Sequence, residues 1–377
     1  MRQPEKKSPL KEVAAVFSRL GIIGFGGPAV HIALMEEEVV RKRQWMTHEH
    51  FIDLIGATNL IPGPNSTEMA LHCGHERAGW KGLLVAGACF ILPAVFITAA
   101  FAWAYNRYGA LPQLQPFMYG IKPAIIGIIV SLMITLGKKS VKTVELGVIG
   151  VAVAVLALAG ISEIYLLFGA GLLGIIIYLF KTKKHSAYAL LPLAFVPQLP
   201  ATITYQGWKV FWIFLKIGSI LYGSGYVLFA FLNDALVKKG MLSKQVLVDA
   251  IAVGQFTPGP VFSSATFIGW QMGGAVPAIA ATAGIFLPSF LFVGLLNPLV
   301  ARLRKSAVMS AFLDTVNVAA IALILSVCTE LAKASVTDWK TITIAVIGFT
   351  VSLAFKKLNT AFIILGGALL GYLLYVV

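Results

Sequence analysis

Residues 250–301 read AIAVGQFTPGPVFSSATFIGWQMGGAVPAIAATAGIFLPSFLFVGLLNPLVA, fifty-two positions without an Asp, Glu, Lys or Arg. A helix that crosses bilayer hydrocarbon needs about 17–25 apolar residues, so this run must fold into at least two segments. Further charge-free runs occupy 82–106, 146–162, 164–180 and 358–377. Over the 377 residues, 58% are hydrophobic and 12% charged, about half the charge of an ordinary soluble domain. A chain this long with so little charge cannot cover a water-facing surface. Soluble enzymes, disordered chains and nucleic-acid-binding domains are excluded on that ground, in spite of a net charge of +14. Residues 1–10 are polar and charged and do not read as a secretory signal. Cys73, Cys89 and Cys328 offer neither a disulfide framework nor a metal spacing. No cofactor and no metal is expected.

The Pro-Gly-Pro triplet in the opening run occurs twice. Pro62-Gly63-Pro64 matches Pro258-Gly259-Pro260, Arg19-Leu20-Gly21 matches Lys216-Ile217-Gly218, and Gly26 falls on Gly223. Asp53 falls on Asp249, Leu92-Pro93 on Leu287-Pro288, Ser140-Val141 on Ser335-Val336, and Gly174 on Gly371. The offset stays between 195 and 197, which marks an internal repeat. The expected fold is an all-α polytopic membrane protein of two homologous halves, residues 1–180 and 209–377, joined by a linker at 181–208.

Each half holds six apolar segments. The first contains Leu20–Pro28 or Ile217–Gly225, and the second contains Pro-Gly-Pro. The third is centred on Pro93 or Pro288, and the fourth follows Lys122 or Asn317. The fifth and sixth form a hairpin turning at Ser162-Glu163 or Lys356-Lys357. Basic residues favour cytoplasmic loops, and three successive loops reverse their bias between halves. Arg107 stands alone against Arg302, Arg304 and Lys305; Lys138, Lys139 and Lys142 stand against Lys333 and Lys340 with acids beside them; Glu163 stands against Lys356-Lys357. That alternation fits an inverted repeat. Inversion requires an odd number of crossings between equivalent points. Segment one is expected to span and segment two to be re-entrant, five crossings per half. The other solution makes segment one re-entrant and sends residues 186–208 across.

Pro-Gly-Pro is costly inside a continuous helix, because an interior proline removes a donor and costs about 3 kcal/mol or more. In hydrocarbon, freed carbonyls find no water. After the first break, Asn65-Ser66-Thr67-Glu68 reads as a helix start. A helix N-terminus at membrane depth presents unpaired N–H groups and a positive dipole end, both suited to an anion. The bland alternative is a kink between packed helices; two breaks at equivalent places favour a site. Gly26 and Gly27, within Gly24-Phe25-Gly26-Gly27-Pro28, allow close approach of backbone or ligand, although small residues also serve helix packing.

Ionisable residues in apolar segments are functional suspects. Arg19, Lys216 and Lys122 are candidates for holding an oxyanion, guanidinium by a bidentate grip; snorkelling to headgroups is the ordinary alternative for the first two. Asp53 and Asp249 are candidates for proton coupling, for pairing with those cations, or for capping. Glu68 and His72 share a helix face at i, i+4 and form a second proton-coupling candidate. The substrate-binding set is therefore Arg19, Gly26, Gly27, Pro62, Gly63, Pro64, Asn65, Ser66, Lys122, Lys216, Pro258, Gly259 and Pro260. No phosphate loop, nucleophile elbow or repeated Cys/His cluster is present, so no enzyme is expected.

At these residues the chain resembles the chromate ion transporter family. The resemblance rests on Phe17–Pro28, Glu36–Trp45, Asn59–Pro64 and Leu92-Pro93, with second copies at Gln255–Pro260 and Leu287-Pro288. It covers nearly the whole chain. It implies a multi-pass protein of the cell membrane that exports chromate, with sulfate as an analogue, and with lipid rather than nucleic acid around it. The family also has half-length members that work as pairs, and a homo-oligomer is compatible with this reading. An anion channel or a membrane scaffold without transport are the alternatives.

Overall fold

The computed structural model describes residues 8–109, 111–182, 206–222, 225–303, 306–355 and 358–376. Most of the linker, Gly223, Arg304-Lys305 and Lys356-Lys357 lie outside them. The described residues form helices and no strands. The first half contains α1 (Pro9–Ile23), α2 (Pro28–Met35), α3 (His48–Thr58), α4 (Asn65–Tyr108), α5 (Gln115–Ser140), α6 (Val144–Leu158) and α7 (Glu163–Thr182). The second contains α8 (Gln206–Ile220), α9 (Val227–Leu232), α10 (Lys244–Phe256), α11 (Ser264–Gly273), α12 (Ala275–Leu303), α13 (Ala307–Ser335), α14 (Trp339–Ala354) and α15 (Thr360–Val376). Five helices among the described residues are long and apolar enough to cross a membrane. The protein is a polytopic α-helical membrane protein.

The repeat extends to local detail. Thr47 caps α3 and Ser243 caps α10, each side chain accepting an N–H at 3.2 Å. Thr143 and Asp338 cap α6 and α14. A π-helical stretch follows α2 at Glu36–Lys42 and α9 at Asn233–Val237. Within α4, Ala78 and Gly79 leave the helical region, Gly79 at φ 58° and ψ −150°. Gly274, between α11 and α12, takes φ 85° and ψ −152°. Such positive φ is costless only for glycine. The chain folds back at both places: a Cβ on Gly74 would strike Gly82, and one on Gly269 would strike Pro277. So α4 is two arms, a short one ending at Arg77 and a long one starting at Trp80.

Segments one and two both turn back on themselves. His50 near the start of α3 lies 3.3 Å from Glu76 at the end of the short arm. Their shared break is Pro-Gly-Pro, so this segment is a helical hairpin. Segment one, expected to span, folds back as well. Arg43, just past its π-helical end, lies 3.7 Å from Glu12 near the start of α1, and Trp45 Nε1 donates to the same carboxylate at 3.2 Å. Sequence spacing gives no hint of that closure, because it depends on residues more than thirty positions apart. At 1.5 Å per residue, arms of 11–15 residues reach about 16–22 Å, near the middle of a bilayer about 30 Å thick.

Equivalent helices lie side by side in opposite directions. Tyr119, near the start of α5, hydrogen-bonds Asp338, just beyond the end of α13. Lys142, just beyond the end of α5, lies 2.8 Å from Asp314 near the start of α13. Likewise Trp80, at the start of the long arm of α4, packs on Gly294 late in α12, and Gly87 packs on Phe290. The halves also exchange hairpins. Helix α5 packs on α14 and α15, and α13 packs on α6 and α7. Glycine makes these contacts backbone-close: Gly120 meets Gly367 and Gly371, while Gly174 meets Thr315 and Ala311.

Candidate functional site

The break tips from the two halves meet. Gly63 N–H donates to Leu221 O at 2.9 Å, and Gly259 N–H donates to Gly24 O at 2.7 Å. Gly63 and Gly259 are equivalent, as are Gly24 and Leu221, so the two bonds are one contact made twice. Reciprocal pairing of this kind is the mark of a two-fold relation. The tips are buried: Pro62–Pro64, Ser66 and Pro258–Pro260 are all removed from the surface, and so is Gly27. Helices α2, α9 and α11 and the short arm of α4 all begin at these tips, which directs four helix N-termini at one region.

Glycine is required at both triplets. Gly63 takes φ 139° and Gly259 φ 87°. A Cβ on Gly63 would collide with Glu68 Oε1 and Ser289 Oγ, and a Cβ on Gly259 would lie 2.8 Å from Ala94 Cβ. Ser289 and Ala94 are equivalent positions. The tips thus share a backbone and differ in chemistry. Glu68 at the first is fully buried, with Ser289 Oγ 3.5 Å from Oε1 and no hydrogen-bond partner at Oε2. His72, one turn deeper, is buried with no hydrogen-bond partner at either ring nitrogen. The second tip carries Ser264 in the place of Glu68.

Lys122 and Asp249, proposed separately from the sequence, are partners. Lys122 Nζ lies 3.3 Å from Asp249 Oδ1, and Tyr105 Oη donates to Oδ2 at 2.7 Å. Lysine and tyrosine come from the first half and aspartate from the second. Asp249 stands nine residues before Pro258, about 13 Å along α10, so the pair lies to one side of the tips. The remaining residues are placed elsewhere. Arg19 is 62% exposed, with Glu38 at 3.9 Å. Lys216 and Asp53 are exposed and Gly26 is half-buried. Asn65 bridges the base of the first break through a 2.8 Å bond from its amide to Asn59 Oδ1.

One central residue escaped the sequence reading. His31 in α2 is buried, and its Nε2 lies 2.8 Å from Gly24 O, the oxygen that also receives Gly259 N–H. Its ring meets Phe90 edge-on at 5.4 Å. The available signal was a lone ionisable side chain in an apolar segment, with apolar Leu228 as its counterpart.

The profile of the chromate transporter family matches residues 11–175 and again 208–372. A chromate transport protein of Cupriavidus metallidurans is 33% identical over 97% of this chain and 93% of its own length. A probable chromate transport protein of Synechococcus elongatus is 30% identical over 97% of this chain and 96% of its own. The chromate transport protein of Pseudomonas aeruginosa is 28% identical over 97% and 92%. No solved structure matches. With two profile matches that fall one on each half and broken helices whose tips meet in pairs, the chain belongs to the chromate transporter family.

Proposed function

We propose that this protein is a secondary transporter that exports chromate, or a related oxyanion such as sulfate, by alternating access around the paired break tips. The observation that carries the reading is the reciprocal pair of hydrogen bonds, Gly63 to Leu221 and Gly259 to Gly24. It unites four helix N-termini from two halves at one buried locus, the usual setting of a transporter site. The antiparallel courses of α5 and α13 support an inverted relation between residues 1–180 and 209–377, since a two-fold axis along the helices would leave equivalent helices parallel.

Energetics favour export without ATP. A membrane potential contributes about 2.3 kcal/mol per charge per 100 mV, so a dianion leaving a negative interior gains about 4.6 kcal/mol. The buried pair adds a route to proton coupling. Lys122 can receive an oxyanion only after Asp249 lets it go, and a proton on Asp249 releases it. In this scheme the anion passes from the tips to Lys122 while Asp249 is protonated.

The test is uptake of labelled chromate and sulfate into proteoliposomes holding the purified full chain, with imposed potential and pH gradients. Saturable flux that follows the gradients is the expected result. Conductance without saturation would make the protein a channel. Absence of flux from folded protein would make it a scaffold. Either of those outcomes overturns the transporter reading.

A further inference from the structure

The two tips are alike in backbone and differ in the side chains they offer an anion. Around the second break, three side chains are buried with an unused hydrogen-bonding atom: Gln255 Nε2, Thr257 Oγ1 and Ser264 Oγ, at 5%, 3% and 0% exposure. All three are neutral and can donate. They bracket one turn of chain: Gln255 and Thr257 close α10, and Ser264 opens α11, a ten-residue helix. Ser264 Oγ lies 3.7 Å from the Cβ position of Gly254, so its side chain rests against the last turn of α10. Gln255 accepts from Tyr226 Oη at 3.2 Å, and that hydroxyl lies 3.8 Å from the Cβ position of Gly27 at the opposing tip. Unused buried donors of this kind are costly unless a ligand meets them.

The first tip differs: Thr67 Oγ1 and the His72 ring nitrogens are also buried without a hydrogen-bond partner there, but they lie with a carboxyl side chain. Its corresponding helix start holds Glu68, buried against Gly63. That side chain occupies the space beside Gly63, where its Oε1 would collide with a Cβ, and so takes the room that an anion would need at this tip. Resting on the transporter reading above, we infer that the oxyanion is held at the second tip alone, by Gln255, Thr257, Ser264 and the N-terminus of α11, and that Glu68 excludes it from the first. The pseudo-symmetric centre then has one anion subsite instead of two. The ligand class is a tetrahedral dianion that accepts hydrogen bonds from neutral donors.

The test is the concentration dependence of chromate uptake in proteoliposomes, with detergent elution profile and melting temperature as folding controls. Ser264→Ala and Thr257→Val each remove one donor and are expected to raise KM about tenfold. Ser264→Thr keeps the hydroxyl and should stay within about twofold of wild type. Ser264→Glu, which gives the second tip the character of the first, should abolish saturable uptake. Glu68→Ser, which gives the first tip the character of the second, should leave KM no higher than wild type. Wild-type KM in both Ser264→Ala and Thr257→Val, or a KM raised in Glu68→Ser as far as in Ser264→Ala, would overturn the assignment. Where one donor variant fails to fold, the other carries the comparison. A wild-type protein without flux would instead sink the transporter reading itself, which separates the two failures.

Discussion

Gly259 shows how narrowly the centre is specified at the scale of one residue. Its N–H is engaged by Gly24 O, its φ of 87° suits only glycine, and its missing Cβ leaves room for Ala94. A Gly259→Ala substitution meets two obstacles, the left-handed backbone, at about 1–2 kcal/mol, and the methyl of Ala94. The double variant Gly259→Ala with Ala94→Gly removes only the second obstacle. Because Ala94→Gly itself costs about 1 kcal/mol inside a helix, the check is a cycle of both single variants and the double: the double should lose less than the two single losses added, and strict additivity would show that the contact does not matter. The Lys122–Asp249 pair allows a different calculation. Asp249 is buried and Lys122 is largely so, at 3% and 13% side-chain exposure, so neutralising one leaves an uncompensated charge, at up to about 3–5 kcal/mol. Neutralising both, as in Lys122→Met with Asp249→Leu, removes the orphan and should cost clearly less than the two single losses added together. A cycle of four melting curves in detergent checks this, and strict additivity would refute the pairing. Lys122 and Asp249 were legible in the sequence as suspects because charge is rare in apolar segments. Their partnership was not, since it joins residues 127 positions apart through a fold that spacing cannot convey. His31 passed unnoticed for a related reason: its role is a bond to a carbonyl, and carbonyls leave no mark in a sequence.

Among the elements, the caps and the hairpins carry most of the local specification. Asp338 begins α14 with a capping box, taking Thr341 N–H at 2.8 Å while Thr341 Oγ1 accepts Asp338 N–H at 3.0 Å. The Tyr119 hydroxyl donates to the same carboxylate from α5. That hydrogen bond, and after it the backbone N–H of Thr341, hold the Asp338 carboxyl below its ordinary value of 3.8. A depressed carboxylate contributes stability that is complete above the unfolded pKa and is lost as pH falls through the folded one. Asp338→Ala should lower stability by about 1 kcal/mol at neutral pH, the usual worth of an N-cap. The gap to wild type should close in acid, below about pH 4. A deficit that persists unchanged at low pH would show that the carboxylate charge is not what matters. The breaks themselves were readable, because proline and glycine state their backbone requirements directly. The folding back of segment one on itself was not. Its apolar length fits a crossing as well as a hairpin, and the deciding contact is Arg43 on Glu12.

At the scale of the molecule, the halves are not neighbours that merely touch. Helices α5 and α13 each pack on the hairpin of the other half, through glycines that admit no side chain. The chain's repeat was legible because a constant offset survives divergence. The hairpin exchange was not, since equal halves with equal faces could pair within or across. Exchange sets a condition on motion: if access alternates, a half cannot rock as a block without carrying its partner's hairpin along. The proposed inverted relation gives the sharpest test of the whole arrangement. Lys142 and Asp314 put the end of α5 and the start of α13 on one face, and Tyr119 with Asp338 puts the opposite ends on the other. In a variant without Cys73, Cys89 and Cys328, single cysteines at Thr143 and Ser306 should react from the same side of the membrane with an impermeant maleimide. Cysteines at Ser162 and Thr337 should react from the opposite side. Basic bias places the first pair on the cytoplasmic face, with Lys138, Lys139 and Lys142 close by. Thr143 and Thr337 stand before equivalent helices, α6 and α14. A parallel repeat would label them from one side, and that single result would undo the inverted reading while leaving the family and the helices as they are.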